Sequence, residues 1–363
     1  MWRAPIVVLE CSSPCLVNAL YEMNLSELEL IAADKFGLSL TAPSRLMSNG
    51  NINQTGLVVT DSGSFVLQEV NIDVFSKPAE LMSNIETIIA AMDAANLPSL
   101  QLVRSVDGGP LAVCGMTLWR CYRYIDGVTT PNITSAEEAQ STARSFGRYA
   151  RALDGVKLVE HLVGYHDFDR RVAAFEKAVV ADPLGRGAEN QQTLEELMAI
   201  VDRIRVTPAY GAWLEVPVRN AHNDAKSPNC VVGATGRTII DLDTTMPGTV
   251  LSDIGELVRS STRHLGDVGP GALMSQIESV NRGFLAGYGH NLEPSETKAM
   301  LLAGPLLTAE NAVRFMTDHV LGDVYYGAES PEQNYDRAVV QLRLAERLIE
   351  AIELATSGGL SAA

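Results

Sequence analysis

The chain has 363 residues, of which 46% are hydrophobic and 20% charged, and its formal net charge at pH 7 is −16. This composition excludes a mainly disordered chain, and the negative charge disfavours nucleic acids and anionic membranes as partners. The length predicts two domains, at roughly 100–200 residues per domain.

The cysteines and the apolar runs bear on the compartment. The five cysteines form no CxxC pair, which indicates reduced thiols rather than a zinc site. No apolar run reaches the roughly 18–20 residues that span a bilayer, and the apolar stretch at 5–9 is too short for a secretory signal. We therefore expect a cytoplasmic protein.

Hydrophobic periodicity predicts a β-rich segment followed by a helical one. The first segment is expected to contain, in chain order, a helix at 26–36, strands at 45–47, 55–60 and 64–70, a helix from Pro78 past Met92, and strands at 101–106, 110–114 and 116–125. The second is expected to contain helices at 135–153, 166–180 and 191–204, short strands at 231–232 and 238–242, and mostly helix over 271–356. We therefore expect an α+β fold with an extension of unknown role at 1–25, a β-rich lobe at 26–126 that ends in a hinge, and a helical lobe at 127–363.

The strongest motif is the segment 222–229, which fits the pattern H-x-D-x-x-x-x-N, and it is followed by Asp241 at the end of an apolar run. This pattern is typical of a phosphotransferase catalytic loop. An aspartate must orient the attacking hydroxyl and accept its proton, and an asparagine five residues later can reach a metal on the nucleotide phosphates. The competing interpretation is a chance match in a turn, and Asp241 favours the catalytic one.

Each residue of this motif receives a predicted role. We expect Asp224 to be the base, Asn229 and Asp241 to bind Mg²⁺, and Lys226 to face the γ-phosphate of the nucleotide. His222 is expected to brace the loop. The role of Asp243 is left open: it could be a second metal ligand, a substrate contact or a carboxylate that only makes a turn.

A second, weaker signal is the loop of small residues at 48–55. Small residues let backbone N–H groups approach phosphate oxygens, although such loops also form ordinary hairpins without a ligand. The candidate nucleotide contacts in this loop are Asn49, Gly50, Asn51, Ile52, Asn53 and Thr55.

With these motifs in place, the chain resembles the aminoglycoside phosphotransferase/choline kinase superfamily, and within it the N-acetylhexosamine 1-kinase-like proteins. The resemblance covers roughly residues 27–350. The matching segments are Gly50–Thr55, Phe65–Asn71, Val74–Phe75, Asn84–Glu86, Trp119–Arg120, His166–Asp167, His222–Asp224, Asp241–Gly248, Thr317–Asp318, Gly322–Tyr326 and Asn334–Ala338.

The resemblance implies a bilobal, protein-kinase-like fold with a β-rich, nucleotide-binding N-lobe and a mostly helical C-lobe that carries the catalytic loop and the acceptor site. It also implies ATP as co-substrate and an adenine-binding hinge. The implied hinge residues are Arg123, Tyr124 and Ile125.

One position departs from the superfamily, which usually carries Lys or Arg on the third strand. Gln68 stands there in this chain, and a neutral amide cannot supply the charge, so Lys226 and Mg²⁺ would neutralise more of the phosphate. Glu86 is expected either to hydrogen-bond Gln68 or to be an ordinary solvated helix carboxylate.

The acceptor is expected beside Asp224, in the helical lobe. The resemblance makes Asp243 and Arg314 the first candidates for its contacts, with His166, Asp318 and Tyr325 as further ones. The tyrosine has a structural alternative as a core residue.

Three functions remain open. The first is a kinase that transfers the γ-phosphate to a sugar hydroxyl, the anomeric hydroxyl of an N-acetylhexosamine above all. The second keeps the fold and phosphorylates an aminoglycoside, an amino alcohol or another hydroxyl compound, because an acidic protein favours cationic acceptors. The third is a pseudokinase that only binds partners, to which Gln68 alone points. A small-molecule acceptor and a nucleotide are the expected partners, and the oligomeric state is left open.

Overall fold

The computed structural model describes residues 24–47, 52–289, 292–326 and 328–358. Its helices and strands are, in chain order, α1 (Leu25–Phe36), β1 (Leu40–Leu46), β2 (Gln54–Thr60), β3 (Gly63–Glu69), α2 (Pro78–Ala94), β4 (Leu102–Val103), β5 (Ala112–Cys114), β6 (Thr117–Arg123), β7 (Gly127–Thr129), α3 (Ala136–Ala152), α4 (Phe168–Ala181), α5 (Arg186–Glu189), α6 (Gln191–Arg205), α7 (Pro208–Trp213), β8 (Arg219–Ala221), β9 (Cys230–Gly233), β10 (Gly236–Ile239), β11 (Met246–Gly248), α8 (Val250–Thr262), α9 (Pro270–Tyr288), α10 (Pro294–Ala299), α11 (Ala303–Leu321) and α12 (Gln333–Gly358). The strand-rich first part and the helix-rich second part confirm the α+β class. No helix in the described ranges is long and apolar enough to cross a membrane.

The first of two compact units contains one antiparallel sheet with a helix against it. Its strands lie in the order β1-β2-β3-β6-β4, and β5 also pairs with β6. Leu28 and Ile31 of α1 pack against Leu67 and Trp119 on one face of the sheet. The opposite face carries the row Thr55, Gln68 and Arg120, which are direct cross-strand partners and therefore point to the same side.

The division into units differs from the boundary expected at 126. The first unit runs to Asn71 and resumes over Val103–Tyr124, so the segment 72–102 with α2 belongs to the second unit. One physical reason is the buried Asn84 on α2. Its Nδ2 donates to the carbonyl of Val159 at 2.8 Å, and its Oδ1 accepts from the N–H of Val159 at 2.9 Å.

Close packing of α3 on α9 organises the second unit. A Cβ on Gly147 would lie 2.2 Å from the carbonyl oxygen of Phe284, so only glycine permits this approach. The adjacent Phe146 and Tyr149 of α3 place their rings 5.3 Å and 5.6 Å from the imidazole of His222. The helix pair therefore forms one wall behind the segment that follows β8.

Two short antiparallel sheets bring the predicted motif residues together. In one, β9 pairs with β10 and β7; in the other, β8 pairs with β11, with Ala221 opposite Met246. The segment 222–229 leaves β8, and the segment 241–244 enters β11. Since paired strands lie about 4.7–4.9 Å apart, the two segments start from neighbouring positions.

Candidate active site

The carboxylate of Asp224 is held by one oxygen only. Its Oδ2 accepts hydrogen bonds from Nζ of Lys226 at 2.7 Å and from Nδ2 of Asn229 at 3.0 Å. In the described part of the chain, Oδ1 accepts no hydrogen bond, and 23% of the side chain is exposed. The geometry therefore orients the carboxylate and leaves one oxygen able to accept a proton from a ligand.

Lys226 supplies a positive charge directly beside that carboxylate. Burial disfavours the charged ammonium, but the carboxylates of Asp224, Asp241 and Glu256 outweigh burial and raise the pKa of Lys226 above its usual value. Lys226 is therefore cationic at neutral pH. Its contact with a γ-phosphate stays a prediction.

Asn229 and Asp241 carry oxygen atoms that could bind a metal, and they lie on neighbouring segments. The N–H of Ile240 donates to the carbonyl of Asn229 at 2.9 Å and so joins the two segments. Because Nδ2 of Asn229 faces Asp224, its Oδ1 points elsewhere. Asp241 is exposed and has a φ of 61°, a conformation in which aspartate and asparagine are enriched.

These donors fit a hard divalent cation that shares its ligands with a nucleotide. Amide and carboxylate oxygens are ligands that Mg²⁺ prefers, and Mg²⁺ commonly keeps waters and substrate phosphates in its shell. No group of three or more His, Cys, Asp or Glu residues that could hold a metal is present among the described residues. A cation here would therefore depend on phosphate and water for most of its ligands.

His222 is fully buried and both of its ring nitrogens are occupied. Nδ1 accepts from the N–H of Asp224 at 3.3 Å, so Nε2 carries the proton and donates to the carbonyl of Ile240 at 3.0 Å. Burial lowers the pKa of His222 and keeps the ring neutral. These hydrogen bonds fix the imidazole between Asp224 and Ile240, and its role in bracing a catalytic loop stays a prediction.

Asp253 anchors the same loop, and the sequence did not predict it. Its Oδ2 accepts from the N–H of His222 at 3.0 Å and its Oδ1 accepts from the N–H of Asn223 at 2.7 Å. Burial raises the pKa of Asp253 to about 6. A signal existed: the carboxylate stands among Val250, Leu251 and Ile254, and a charge that such neighbours bury needs partners.

Arg314 lies against two tyrosine rings, one of which also interacts electrostatically with Asp224. Its guanidinium sits over the rings of Tyr165 and Tyr326, at 5.4 Å and 5.5 Å from their centroids. Tyr165 interacts electrostatically with both Arg314 and Asp224. The guanidinium donates no hydrogen bond within the described ranges, so its N–H groups remain available to a ligand. This arrangement supports the predicted acceptor contact of Arg314.

Asp318 occupies a different place from the one predicted. It is buried, with 4% of its surface exposed, and its two oxygens accept from the N–H groups of Tyr325 and Tyr326 at 2.7 Å and 2.9 Å. Its carboxylate therefore shapes this turn and is not available to an acceptor. Tyr325, whose surface is 62% exposed, remains a candidate contact.

His166 is likewise committed to the protein, and we withdraw it from the acceptor site. Nδ1 lies 2.8 Å from Oε1 of Glu310 and Nε2 lies 2.8 Å from the carbonyl oxygen of Asn223.

Asp243 is buried in the turn at 242–244, and its carbonyl accepts from Nε2 of His161 at 2.7 Å. Its contact with an acceptor stays a prediction.

The predicted nucleotide residues of the first loop are only partly described, because Asn49, Gly50 and Asn51 lie outside the described residues. Oδ1 of Asn53 accepts from the N–H of Asn71 at 3.0 Å, and the side chain of Thr55 bonds the carbonyl of Asn53. Ile52 is exposed. Residues 53–55 are thus held by side-chain hydrogen bonds, one of them to the segment that follows β3, and the contact of the loop with phosphate stays a prediction.

The predicted hinge begins at the end of β6. The N–H of Tyr124 donates to the carbonyl of Ser64 at 2.9 Å and so extends the pairing with β3, while Arg123 stacks on the ring of Phe65. Adenine binding by this segment, including Ile125, stays a prediction, and it would need backbone groups other than the N–H of Tyr124. Glu86 lies half-buried on α2, and its predicted interaction with Gln68 is untested.

Gln68 sits between two polar cross-strand neighbours. Nε of Arg120 donates to its Oε1 at 3.1 Å, and its Nε2 donates to Oγ1 of Thr55 at 3.2 Å. Arg120 is 2% exposed. A buried cation therefore already stands beside the position where the superfamily usually carries Lys or Arg.

We expect that Gln68→Lys does not raise activity and lowers the free energy of unfolding by about 1–3 kcal/mol. The substitution removes the acceptor of the 3.1 Å hydrogen bond from Nε of Arg120 and sets a second cation against that guanidinium. Chemical denaturation and the kcat/KM for ATP measure both effects. The double variant Gln68→Lys/Arg120→Gln should recover most of the loss; a single variant that is as stable as the parent and more active would contradict this account.

The comparisons with known proteins identify the family and several similar folds. The model of the phosphotransferase enzyme family, APH, matches residues 45–299. An aminoglycoside phosphotransferase from Alicyclobacillus acidocaldarius is similar in structure, with 13% identity, a TM-score of 0.61, and coverage of 86% of this chain and 92% of that one. A spectinomycin phosphotransferase in complex with ADP and spectinomycin is similar at 12% identity and a TM-score of 0.59, over 92% of this chain and 99% of that one.

A third similar structure is an amicoumacin kinase in complex with AMP-PNP, Ca²⁺ and its substrate, at 13% identity and a TM-score of 0.58 over 90% of this chain and 94% of that one. These likenesses show the bilobal kinase-like fold that was expected. Because the family model covers well over half of the chain, the chain belongs to the phosphotransferase enzyme family.

Proposed function

We propose that this chain is an ATP- and Mg²⁺-dependent small-molecule kinase and that its acceptor is the anomeric hydroxyl of an N-acetylhexosamine. One observation carries the kinase assignment. The Asp224 carboxylate is fixed through Oδ2 by Lys226 and Asn229, while Oδ1 accepts no hydrogen bond within the described ranges. Oriented carboxylates of this kind serve as bases for an attacking hydroxyl in phosphoryl transfer.

The chemistry follows from that geometry. Oδ1 of Asp224 accepts the proton of the acceptor hydroxyl as its oxygen forms a bond to the γ-phosphorus. The bond between the γ-phosphorus and the bridging oxygen breaks, and ADP leaves. Lys226, held at 2.7 Å from Asp224, stabilises the negative charge on the transferring group.

The proposed metal ligands are Oδ1 of Asn229 and the carboxylate of Asp241. When bound, Mg²⁺ neutralises charge on the β- and γ-phosphates. We also propose that the first unit binds the nucleotide through the loop 49–55 and Gln68. The similar structures with ADP or with AMP-PNP and Ca²⁺ support the assignment of a nucleotide and a divalent cation.

The charges around Arg314 favour an acceptor without a positive charge. Lys226 is paired with Asp224, and Arg259 is paired with the buried Glu256. Arg314 makes neither ion pair nor hydrogen bond in the described part of the chain. An amide carbonyl or a hydroxyl oxygen would accept from its guanidinium, whereas an ammonium group would be repelled. The exposed ring of Tyr325 offers an apolar face for a sugar ring.

The alternative acceptors are aminoglycosides, amino alcohols and other hydroxyl compounds. Two of the similar structures are aminoglycoside and spectinomycin phosphotransferases, and the net charge of −16 would attract cationic compounds over long range. A pseudokinase is the third candidate, and the intact set of Asp224, Asn229 and Asp241 argues against it.

An acceptor panel tests the proposal. The chain is incubated with ATP and Mg²⁺ and with N-acetylated hexosamines, their free amino sugars, amino alcohols and aminoglycosides, and products are identified by NMR. We expect a sugar 1-phosphate from an N-acetylhexosamine and at least tenfold less from its free amine. Turnover of the amine compounds but not of the N-acetylated sugars would support the alternative acceptors. Nucleotide binding without any turnover would support the pseudokinase.

Replacing Arg314 with Met tests the acceptor site itself. We expect the KM for the acceptor to rise by about 10- to 100-fold, because a hydrogen bond to a charged group contributes about 1.5–3 kcal/mol, while the KM for ATP stays unchanged. Steady-state kinetics against both substrates measures the split. Arg282→Met, on the exposed face of α9, is the control and should change neither; equal acceptor KM values in the Arg314 variant and the parent would remove Arg314 from the site.

A further inference from the structure

The peptide group between Asn223 and Asp224 is held in a defined orientation by hydrogen bonds. Asn223 has a φ of 63°, in the left-handed region, which asparagine adopts more readily than most other non-glycine residues. Hydrogen bonds to its side chain and its backbone hold it there. The carbonyl of Asn223 leads directly into Asp224, so whatever holds that carbonyl also sets the direction of the base.

His166 is the side chain that holds it. Nε2 lies 2.8 Å from the carbonyl oxygen of Asn223, and a carbonyl oxygen can only accept, so Nε2 carries a hydrogen. Nδ1 lies 2.8 Å from Oε1 of Glu310, whose side chain is fully buried. A carboxylate at Glu310 would accept from Nδ1 in the same way, and with both nitrogens donating the ring would be an imidazolium.

The surroundings favour the charged ring. Acidic groups interact with His166 from two helices: Asp253 and Glu256 on α8, and Glu310 on α11. The cations near them are Arg259, which is paired with Glu256, and Arg314, which lies over tyrosine rings. Burial opposes the charge, but Glu310 outweighs it and raises the pKa of His166 above its usual value of 6.5.

The second oxygen of Glu310 makes the pair unusual as a structural element. Oε2 is buried and has no hydrogen-bond partner in the described part of the chain. A buried carboxylate with one unpaired oxygen is costly for stability. The cost is understandable where the carboxylate is needed to keep its neighbour charged.

We propose that His166 and Glu310 form a buried imidazolium–carboxylate pair that positions the base Asp224 by holding the carbonyl of Asn223. His166 is thus a positioning residue and does not touch the acceptor. This inference rests on the proposed function for its kinetic readouts. It adds that the positioning fails when the imidazolium loses a proton, because one of its two hydrogen bonds is then lost.

The sign of the pH dependence follows from the geometry. The charged ring is present below the pKa of the pair and is lost as the pH rises through it, so kcat should fall on the alkaline side. Glu310→Gln keeps an acceptor for Nδ1 but removes the counter-charge, and the alkaline limb of kcat should move down by about one pH unit or more. Lowering the pH should restore its activity.

His166→Gln gives the complementary result. Glutamine offers a donor without a titratable charge, so kcat should fall by about 10- to 100-fold, the loss expected for one charge-assisted hydrogen bond, with no recovery at lower pH. The KM for ATP should stay within about twofold. The matched control is Glu296→Gln, which removes another fully buried carboxylate, paired with Arg219; it should lower stability without moving the alkaline limb.

A histidine NMR titration of the parent protein measures the protonation of His166 and does not depend on turnover. Histidine NMR, with the His166 signal assigned by comparison with the Glu310→Gln and His166→Gln variants, should show a doubly protonated ring at pH 7 in the parent. A neutral ring at pH 7, or an alkaline limb that Glu310→Gln leaves in place, would overturn the pair. If the parent phosphorylates no acceptor, the proposed function fails, and the NMR titration still decides the protonation of His166.

Discussion

Asp224→Asn is expected to lower kcat by about 10²- to 10⁴-fold, the usual contribution of a positioned general base, and to leave nucleotide binding intact. The amide has nearly the same shape but cannot take the acceptor proton. It also exchanges the charge-assisted contact of Lys226 at 2.7 Å for a weaker one. Steady-state turnover and the Kd for ATP, measured on the same preparations, separate chemistry from binding.

The control for this variant is Asp202→Asn, at an exposed position on α6, which should match the parent in both measurements. Retained turnover in Asp224→Asn would show that another group accepts the proton. A parent protein that binds ATP but phosphorylates nothing in the acceptor panel would support the pseudokinase interpretation, because no base is then in use.

Asp253→Asn is expected to reduce the free energy of unfolding by about 2–4 kcal/mol and to lower kcat as well. An asparagine can accept from one of the two backbone N–H groups, and its own NH₂ group then faces the other, which leaves buried donors without acceptors. The measurement is chemical denaturation at about pH 8, where Asp253, with a pKa of about 6, is ionised.

Asp318→Asn is a matched control, because Asp318 binds two successive backbone N–H groups in the same way but at Tyr325 and Tyr326. It should cost a similar free energy of unfolding. Its kinetic effect should fall on the KM for the acceptor, whereas that of Asp253→Asn should fall on kcat. Two variants with the same kinetic profile would mean that lost stability alone explains both.

The candidate catalytic loop was predictable because its motif is local in sequence. Asp224 and Asn229 lie five residues apart, which places both on one turn, and the structure joins their side chains at 3.0 Å. The hairpin at 233–236 was predictable from its glycines, and β9 and β10 pair across it. Helix α3, expected at 135–153 and observed at Ala136–Ala152, follows from its periodicity and its Ser135 N-cap.

Elements whose pattern is weak were missed. Strands β8 and β11 have three residues each, too short for a periodic signal, and they exist because they pair with each other. Helix α8 was missed although its spacing is helical, and its polar residues Asp253, Glu256 and Arg259 are buried together with its apolar ones. Together these three elements place Asp253 beside the loop 222–229. Because they were not predicted, the hydrogen bonds of Asp253 to that loop were not predicted either.

The sequence by itself determined the α+β class, the candidate base and the candidate metal ligands, because these depend on local spacing and periodicity. Only the tertiary structure decided which polar side chains form hydrogen bonds within the protein and are therefore unavailable to a ligand. His166, Asp318 and Arg314 were all candidates for the acceptor site. The structure buries the first two against backbone groups, whereas Arg314 donates no hydrogen bond in the described part of the chain. The physical reason is that a buried polar group must find a partner, and the partners of these residues lie from 7 to more than 140 positions away in the chain.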